Sequence, residues 1–489
     1  MVRSRLRHCV LVAFVVVSSP VPQGHVADAK LDAALVRRAH EARSTSRVIV
    51  RTCAGCSIDF AVRSLGATFA GNLSRDNTLM AVVPDRALRA LASMPEVLSV
   101  SLDRPVVGTI DRTATTTGAR WVQENLGFDG SGVGVALIDS GITPSHEDLL
   151  ERRVVHFADF VNFLPATYDD YGHGTHVAGI IAGKSDGTNG GPRGIAPRAN
   201  LIVLKALNAG GGGYTSNVIA AVDYAIAKRD IYNIRVINLS VAAGVYESYN
   251  TDPLALAAKR AVDAGIVVVA AAGNLGLNAQ GAPQSAGITS PGNAPWVLTV
   301  GACNDMGTAD RNDDVVAPFS SRGPSSIDGE AKPDLVAPGV GIESIADPAS
   351  ALFALHGRSQ DGGGGDGVGA PHLRLSGTSM AAPVVTGTIA LMLQANPTLD
   401  PGAVKYILQT SAEKKSRYDQ FTQGAGFLDA RAAVQLAQHF SPSIAWDRDA
   451  RYGVTGSSSL GVNREASDGE TSPPSRAEQP DASYGGSGR

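Results

Sequence analysis

Four residues, far apart along the chain and each set in a short apolar or glycine-rich motif, could together carry out acyl transfer. Asp139 follows the run Val135-Ala136-Leu137-Ile138, and His173 opens His173-Gly174-Thr175-His176-Val177-Ala178-Gly179. Asn274 closes Ala270-Ala271-Ala272-Gly273, and Ser379 lies in Ser376-Gly377-Thr378-Ser379-Met380-Ala381-Ala382-Pro383. Taken singly they have plainer readings, Asp139 and Ser379 as helix caps and Asn274 as a turn residue. Jointly they supply an acid, a base, a nucleophile and an amide donor. A serine hydroxyl is a poor nucleophile at neutral pH and needs an adjacent base. His173 suits that task, taking the proton from Ser379 and delivering it to a leaving amine. Asp139 would hold the imidazole in the right tautomer and stabilise the imidazolium. Ser379 precedes an apolar helical run, so free backbone N–H groups and the positive helix end lie beside it. Its own N–H and the Asn274 side-chain amide could bind a developing oxyanion. His176 reads as structural, because one imidazole suffices.

Other motif matches fail on context. Gly183 to Gly187 satisfies G-x-S-x-G but follows a helical stretch, whereas a nucleophile elbow follows a strand. Gly179 to Ser185 is one residue short of a phosphate-binding loop, and Gly130 to Gly134 precedes its strand where a dinucleotide loop would follow one. His146-Glu147 begins a zinc-binding pattern that Leu150 breaks. His173 and His176 lie on one helical turn without a third ligand beside them, so no metal is expected.

At Asp139, His173, Asn274 and Ser379 the sequence resembles the subtilisin-like serine peptidases, the subtilase family. Gly194-Ile195-Ala196-Pro197, Val236 to Ser240, Phe319 to Pro324 and Lys332 to Gly339 share the likeness, which spans about residues 120–437. It implies a serine endopeptidase with an Asp139-His173-Ser379 triad, an acyl-enzyme, Asn274 as oxyanion donor and no cofactor. Two edge segments, Gly211-Gly212-Gly213 and Ser240-Val241-Ala242, would clamp an extended polypeptide by main-chain hydrogen bonding. Val241, Ala242 and Ala243 stand where many relatives carry glycines, which narrows the cleft. With Leu275 beside Asn274 and no carboxylate on this wall, an uncharged, apolar P1 residue is expected. Asp148 resembles a carboxylate that helps hold calcium in some relatives, but the loop 184–193 lacks a matching ligand set. Two other classes share these motifs: a protein-binding relative without turnover, and an esterase or acyl transferase using the same triad.

Stepping outward, continuous apolar runs at Val133 to Ile138, Leu201 to Leu204, Val236 to Leu239, Ile266 to Ala271 and Val297 to Val300 predict strands buried on both faces. Helical stretches such as Ser216 to Lys228 and Asp252 to Ala264 alternate with them. The fold class is therefore α/β, a doubly wound parallel sheet whose working residues collect beyond the carboxyl ends of the strands. Residues 47–103 read instead as β-α-β-β-α-β, a small α+β ferredoxin-like unit. By pattern and position it resembles the inhibitory prodomain that precedes subtilase catalytic domains. Its Cys53-x-x-Cys56 lacks the second ligand pair of a metal site and suits two incidental thiols or one local disulfide. Cys303, alone in the larger domain, suits a buried, inert thiol.

Composition agrees with a folded chain. Lys and Arg number 42 against 46 Asp and Glu, which gives neither nucleic acid nor a membrane surface an electrostatic hold. With 44% hydrophobic and 18% charged residues, most of the chain can bury a large core. Arg3, Arg5, Arg7 and His8 precede an apolar run from Cys9 to Val17, a secretory pattern too short to span a bilayer. Ala27-Asp28-Ala29 fits a cleavage site. The expected organisation is a signal peptide over 1–29, a propeptide over 30–113, a peptidase domain over 114–439 and a solvated polar tail over 440–489. The glycine-rich stretch 350–372 reads as an inserted surface loop. A secreted, self-processing monomeric zymogen with no membrane span after signal removal completes the expectation.

Overall fold

Strands with one buried face account for the N-terminal unit. In β3, Thr78–Pro84, every second side chain is buried (Leu79, Ala81, Val83), and β1, Thr45–Thr52, repeats this at Val48 and Val50. The computed structural model describes residues 27–42, 44–73, 77–102, 109–144, 146, 149, 153–184, 193–360 and 372–441. β2, Thr68–Leu73, and β4, Val97–Leu102, complete an antiparallel sheet in the order β2-β3-β1-β4. Helices Asp59–Ser64 and Leu88–Ala92 cross between strands, so the β-α-β-β-α-β order is as expected. One helix was not anticipated, Ala33–Glu41, which buries Leu35 in the same core. Asp32 caps it by accepting from the Leu35 N–H at 2.9 Å and also accepts from Leu102 N–H. Ala27 is buried in this core and Asp28 pairs with Arg89 at 2.8 Å, so a cut after Ala29 would sever both contacts. Cys53 and Cys56 form a disulfide.

The larger sheet has eight strands in the order β11-β10-β9-β8-β5-β7-β6, with β12 also paired to β10. β5 is Gly134–Asp139, β6 Val154–Asp159, β7 Asn200–Lys205, β8 Ile234–Leu239, β9 Val267–Ala271 and β10 Leu298–Asn304. All of these pair in parallel, as does β12, Leu335–Pro338; only β11, Val315–Val316, runs antiparallel. Every residue of β5 is buried. Val135 and Leu137 join the core formed with helices His173–Ala182 and Thr378–Ala395, while Ala136 and Ile138 are buried outside that cluster. β5 lies between β7 and β8, so the chain reverses its direction of travel across the sheet there, and crevices open at such a point beyond the strand ends. The helix Thr378–Ala395 is long and apolar enough to cross a membrane by composition, but 83% of it is buried in the protein, as in a core helix.

The stretch 350–372 is not a bare loop. It begins with a helix, Ala351–Gln360, and its flanks are the paired strands β13, Ile342–Ile345, and β14, His372–Leu375. Its glycines Gly362 to Gly365 lie outside the described residues, as do the signal segment to residue 26, Asp148, loop residues 185–192, Arg104 to Gly108 and the tail from 442.

Candidate active site

β5 delivers Asp139 to its carboxyl end, and helix His173–Ala182 presents His173 as its first residue. The His173 Nδ1 donates to Asp139 Oδ1 at 2.8 Å, and the Ser140 N–H donates to the same oxygen at 2.8 Å. Asp139 Oδ2 is buried with no protein partner among the described residues. Burial works against a charged His173, but the charge and hydrogen bond of Asp139 outweigh it, with Asp169 adding to them. Its pKa therefore lies above the ordinary 6.5. Only the neutral imidazole can accept a proton, so this residue is available as a base above that raised value and not below it. The pair's contribution to stability has the opposite sense: full below the ordinary imidazole pKa, it is lost as pH rises through the raised one.

Ser379 is the second residue of helix Thr378–Ala395, which Gly377 precedes without a side-chain cap, so its N–H has no intrahelical acceptor. Its Oγ donates to the Ser240 carbonyl at 3.1 Å rather than to His173. Serine hydroxyls in unliganded sites often rest away from their base and tighten onto it with substrate. Asn274 follows the buried end of β9. Its Oδ1 accepts from the Thr378 N–H and Oγ1, both at 3.0 Å, which assigns the Nδ2 donor to the opposite side. A Cβ built on Gly377 would sit 3.4 Å from Asn274 Nδ2 and 3.7 Å from Ser379 N, so two donors border the space that this glycine leaves open.

The expected edge residues gather in one cleft of about 360 Å³, lined by His173, Gly211, Gly212, Gly213, Ser240, Val241 and Ala242, with Tyr214, Val218 and Leu254. Gly212 accepts from the Asn208 N–H at 2.8 Å and donates to Asn208 Oδ1 at 3.2 Å, so its main chain is engaged in a local turn. Ala243 and Ser290 exchange two main-chain bonds of 3.0 Å, closing the far side of the other edge. Leu275, next to Asn274, is 52% exposed. Cys303 is buried and its thiol is pushed well up by that burial, an inert group. His176 is buried and structural: its Nε2 donates to the Leu373 carbonyl at 2.9 Å, and burial, reinforced by His173, drives its pKa down to about 3.

Sequence reasoning missed the groups that hold this site. Asp169 accepts from Ser140 Oγ, the Gly172 N–H, and the Thr175 N–H and Oγ1, all within 2.8 Å. Gly172 cannot cap its own helix, and an acidic pair just upstream was the available signal. Lys205, fully buried and in register with Asp139, donates to the Ser140 carbonyl and to Asp170 at 2.7 Å. Asn238 and Ser240 tie the end of β8 to the Ser379 helix, Ser240 Oγ donating to the Ser379 carbonyl at 2.9 Å.

Comparison with known proteins identifies the class. The subtilase family description matches residues 130–426, more than half of the chain. Serine protease AprX of Bacillus subtilis is 40% identical over 369 residues, 73% of this chain and 79% of that protein. Subtilisin DY of Bacillus licheniformis is 34% identical over 63% of this chain and 93% of its own. A solved cold adapted subtilisin-like serine proteinase shares 30% identity with a TM-score of 0.47, covering 62% and 90% of the two chains. The chain belongs to the subtilase family and is a serine endopeptidase acting on polypeptides.

Proposed function

We propose that this endopeptidase cleaves through an Asp139-His173-Ser379 triad and an acyl-enzyme, and that it is exported as a self-processing zymogen. The observation that carries the triad is the 2.8 Å bond between His173 Nδ1 and Asp139 Oδ1, which leaves Nε2 as the basic nitrogen. In this reading the Ser379 hydroxyl leaves the Ser240 carbonyl for that nitrogen when substrate binds. His173 then takes the proton as Oγ attacks the peptide carbonyl, and Asn274 Nδ2 with the Ser379 N–H receives the oxyanion. The imidazolium, held by Asp139, returns the proton to the leaving amine, and water repeats the cycle on the ester. Substrate lies extended between Gly211 to Gly213 and Ser240 to Ala242. The cleft lining includes Val218, Val241, Ala242 and Leu254 but, among the described residues, neither Leu275 nor any carboxylate. The lack of a carboxylate to pair a basic side chain supports an uncharged P1 residue.

Export is supported by the basic-then-apolar N-terminal sequence and by the Cys53–Cys56 disulfide, which belongs to an oxidising compartment. The zymogen reading is supported by the ferredoxin-like unit ahead of the peptidase domain. The test is a Ser379→Ala protein. It should fold, fail to react with a fluorophosphonate probe, cleave no peptide and keep its N-terminal segment. Probe labelling at another residue would overturn the triad, and normal N-terminal processing would overturn self-maturation.

A further inference from the structure

One excursion of the chain holds both flanks of His173. The helix Ala351–Gln360 starts with the Ala351 N–H donating to the Asp170 carbonyl and the Leu352 N–H to the Tyr171 carbonyl, each at 3.0 Å. Ser350 passes so close that a Cβ on Gly172 would come within 2.4 Å of its Oγ. On the other flank, His176 Nε2 donates to the carbonyls of Ile342 and Leu373, while Ser344 Oγ donates to the His176 carbonyl at 2.8 Å. Ser350, Ala351 and Leu352 therefore grip the chain just before His173, and Ile342, Ser344 and Leu373 grip it just after.

Tyr171 turns that grip into contact with the imidazole. Its ring faces that of His173 with centroids 6.3 Å apart and planes 29° from parallel. It fills the space Gly211 leaves, where an added Cβ would lie 2.3 Å from Tyr171 Cζ. Its other side packs among Ala346, Leu352 and Leu373. Burial, with the charge of Asp139, pushes its phenol pKa up, as expected of a ring beside the triad carboxylate.

We propose that Tyr171, anchored by Ala351 and Leu352, is a positioning residue that fixes the tilt of the His173 ring and keeps water from one of its faces. The proposal rests on reading His173 as the general base. The charged and titratable groups facing that ring are Asp139 from β5, Asp169 from the preceding loop, and His176 along its own helix, besides Tyr171 itself. Removing the Tyr171 ring leaves the other three in place and solvates the imidazole, which favours its charged form.

The test compares Tyr171→Phe, Tyr171→Leu and Ala351→Pro in the full chain, with active enzyme counted by fluorophosphonate titration and folding by thermal midpoint. Proline is compatible with the first position of a helix, and here it removes the donor to Asp170. Tyr171→Phe should keep both rate and pH profile. Tyr171→Leu should lower kcat about tenfold, since a displaced base hurts the chemical step; because Tyr171 also lines the cleft, the acid limb rather than KM is the deciding readout. Its acid limb should move up by about half a pH unit, a fraction of what complete burial imposes. Ala351→Pro should move both in the same direction by less. A folded Tyr171→Leu enzyme with the parent's acid limb overturns the proposal; if that variant does not fold, an Ala351→Pro enzyme with unchanged kcat and acid limb does. Failure of the underlying reading shows separately, as a parent enzyme that lacks an acid limb.

Discussion

Asn274 illustrates how a hydrogen-bond pattern assigns one atom its task. Both bonds from Thr378 go to Oδ1, so the amide nitrogen is turned toward the space beside Gly377 and Ser379. Leucine would remove that donor at similar volume. Asn274→Leu should lower kcat about 10²–10³-fold, the loss known for this donor in a subtilisin, while KM changes little. Steady-state kinetics check it, and a near-normal kcat would mean that backbone N–H groups alone hold the oxyanion. The motif around Asn274 was legible in the sequence. Which way its amide points was not, because only Thr378, distant in the chain, decides that.

Helix His173–Ala182 depends on a residue outside it. Gly172 sits at φ +99, a conformation that favours glycine, and offers no side chain to the first helical N–H groups. Asp169 replaces the missing cap and also binds Ser140, so one buried carboxylate aligns the ends of the two elements that carry Asp139 and His173. Replacing it by alanine strands several buried donors. Asp169→Ala should cost about 3 kcal/mol and lower the thermal midpoint by several degrees. Calorimetry is the check; an unchanged midpoint would show that Lys205 and its bonds hold these element ends unaided. Periodicity and apolar runs revealed the strands and the helices between them. The helix Ala351–Gln360 escaped because flanking glycines dominated that stretch, and its first two N–H groups are satisfied by the distant carbonyls of Asp170 and Tyr171, with Ser350 accepting from Phe353 N–H.

At the scale of the whole molecule, the N-terminal unit has a hydrophobic core of its own, which includes Ala27, Leu31 and Leu35 as well as the sheet. A segment meant to act as an inhibitor should therefore begin at Ala27 rather than at residue 47. Residues 27–113 added to the mature enzyme are expected to inhibit peptide cleavage at micromolar concentration or below. The same segment starting at residue 47 should inhibit less, because it lacks Ala27, Leu31 and Leu35 and so an edge of that core. Equal lack of effect from both would count against a prodomain role and leave the peptidase reading intact.

Residue types and local spacing were enough to name the chemistry available and the ends of the elements that present it. Short apolar runs between turn residues read as buried strands, and the aspartate, histidine, asparagine and serine motifs stand where such strands and helices begin or stop. The tertiary structure decided what local pattern cannot encode. It chose Asp169 as the remote cap, set Lys205 under Ser140, gave Asn274 its orientation and brought Tyr171 against His173. Ser140 with Asp169 and Lys205, Asn274 with Thr378, and Tyr171 with Leu352 are contacts between segments distant in sequence. Their geometry follows from how the sheet and its covering helices pack together, not from the spacing of residues along the chain.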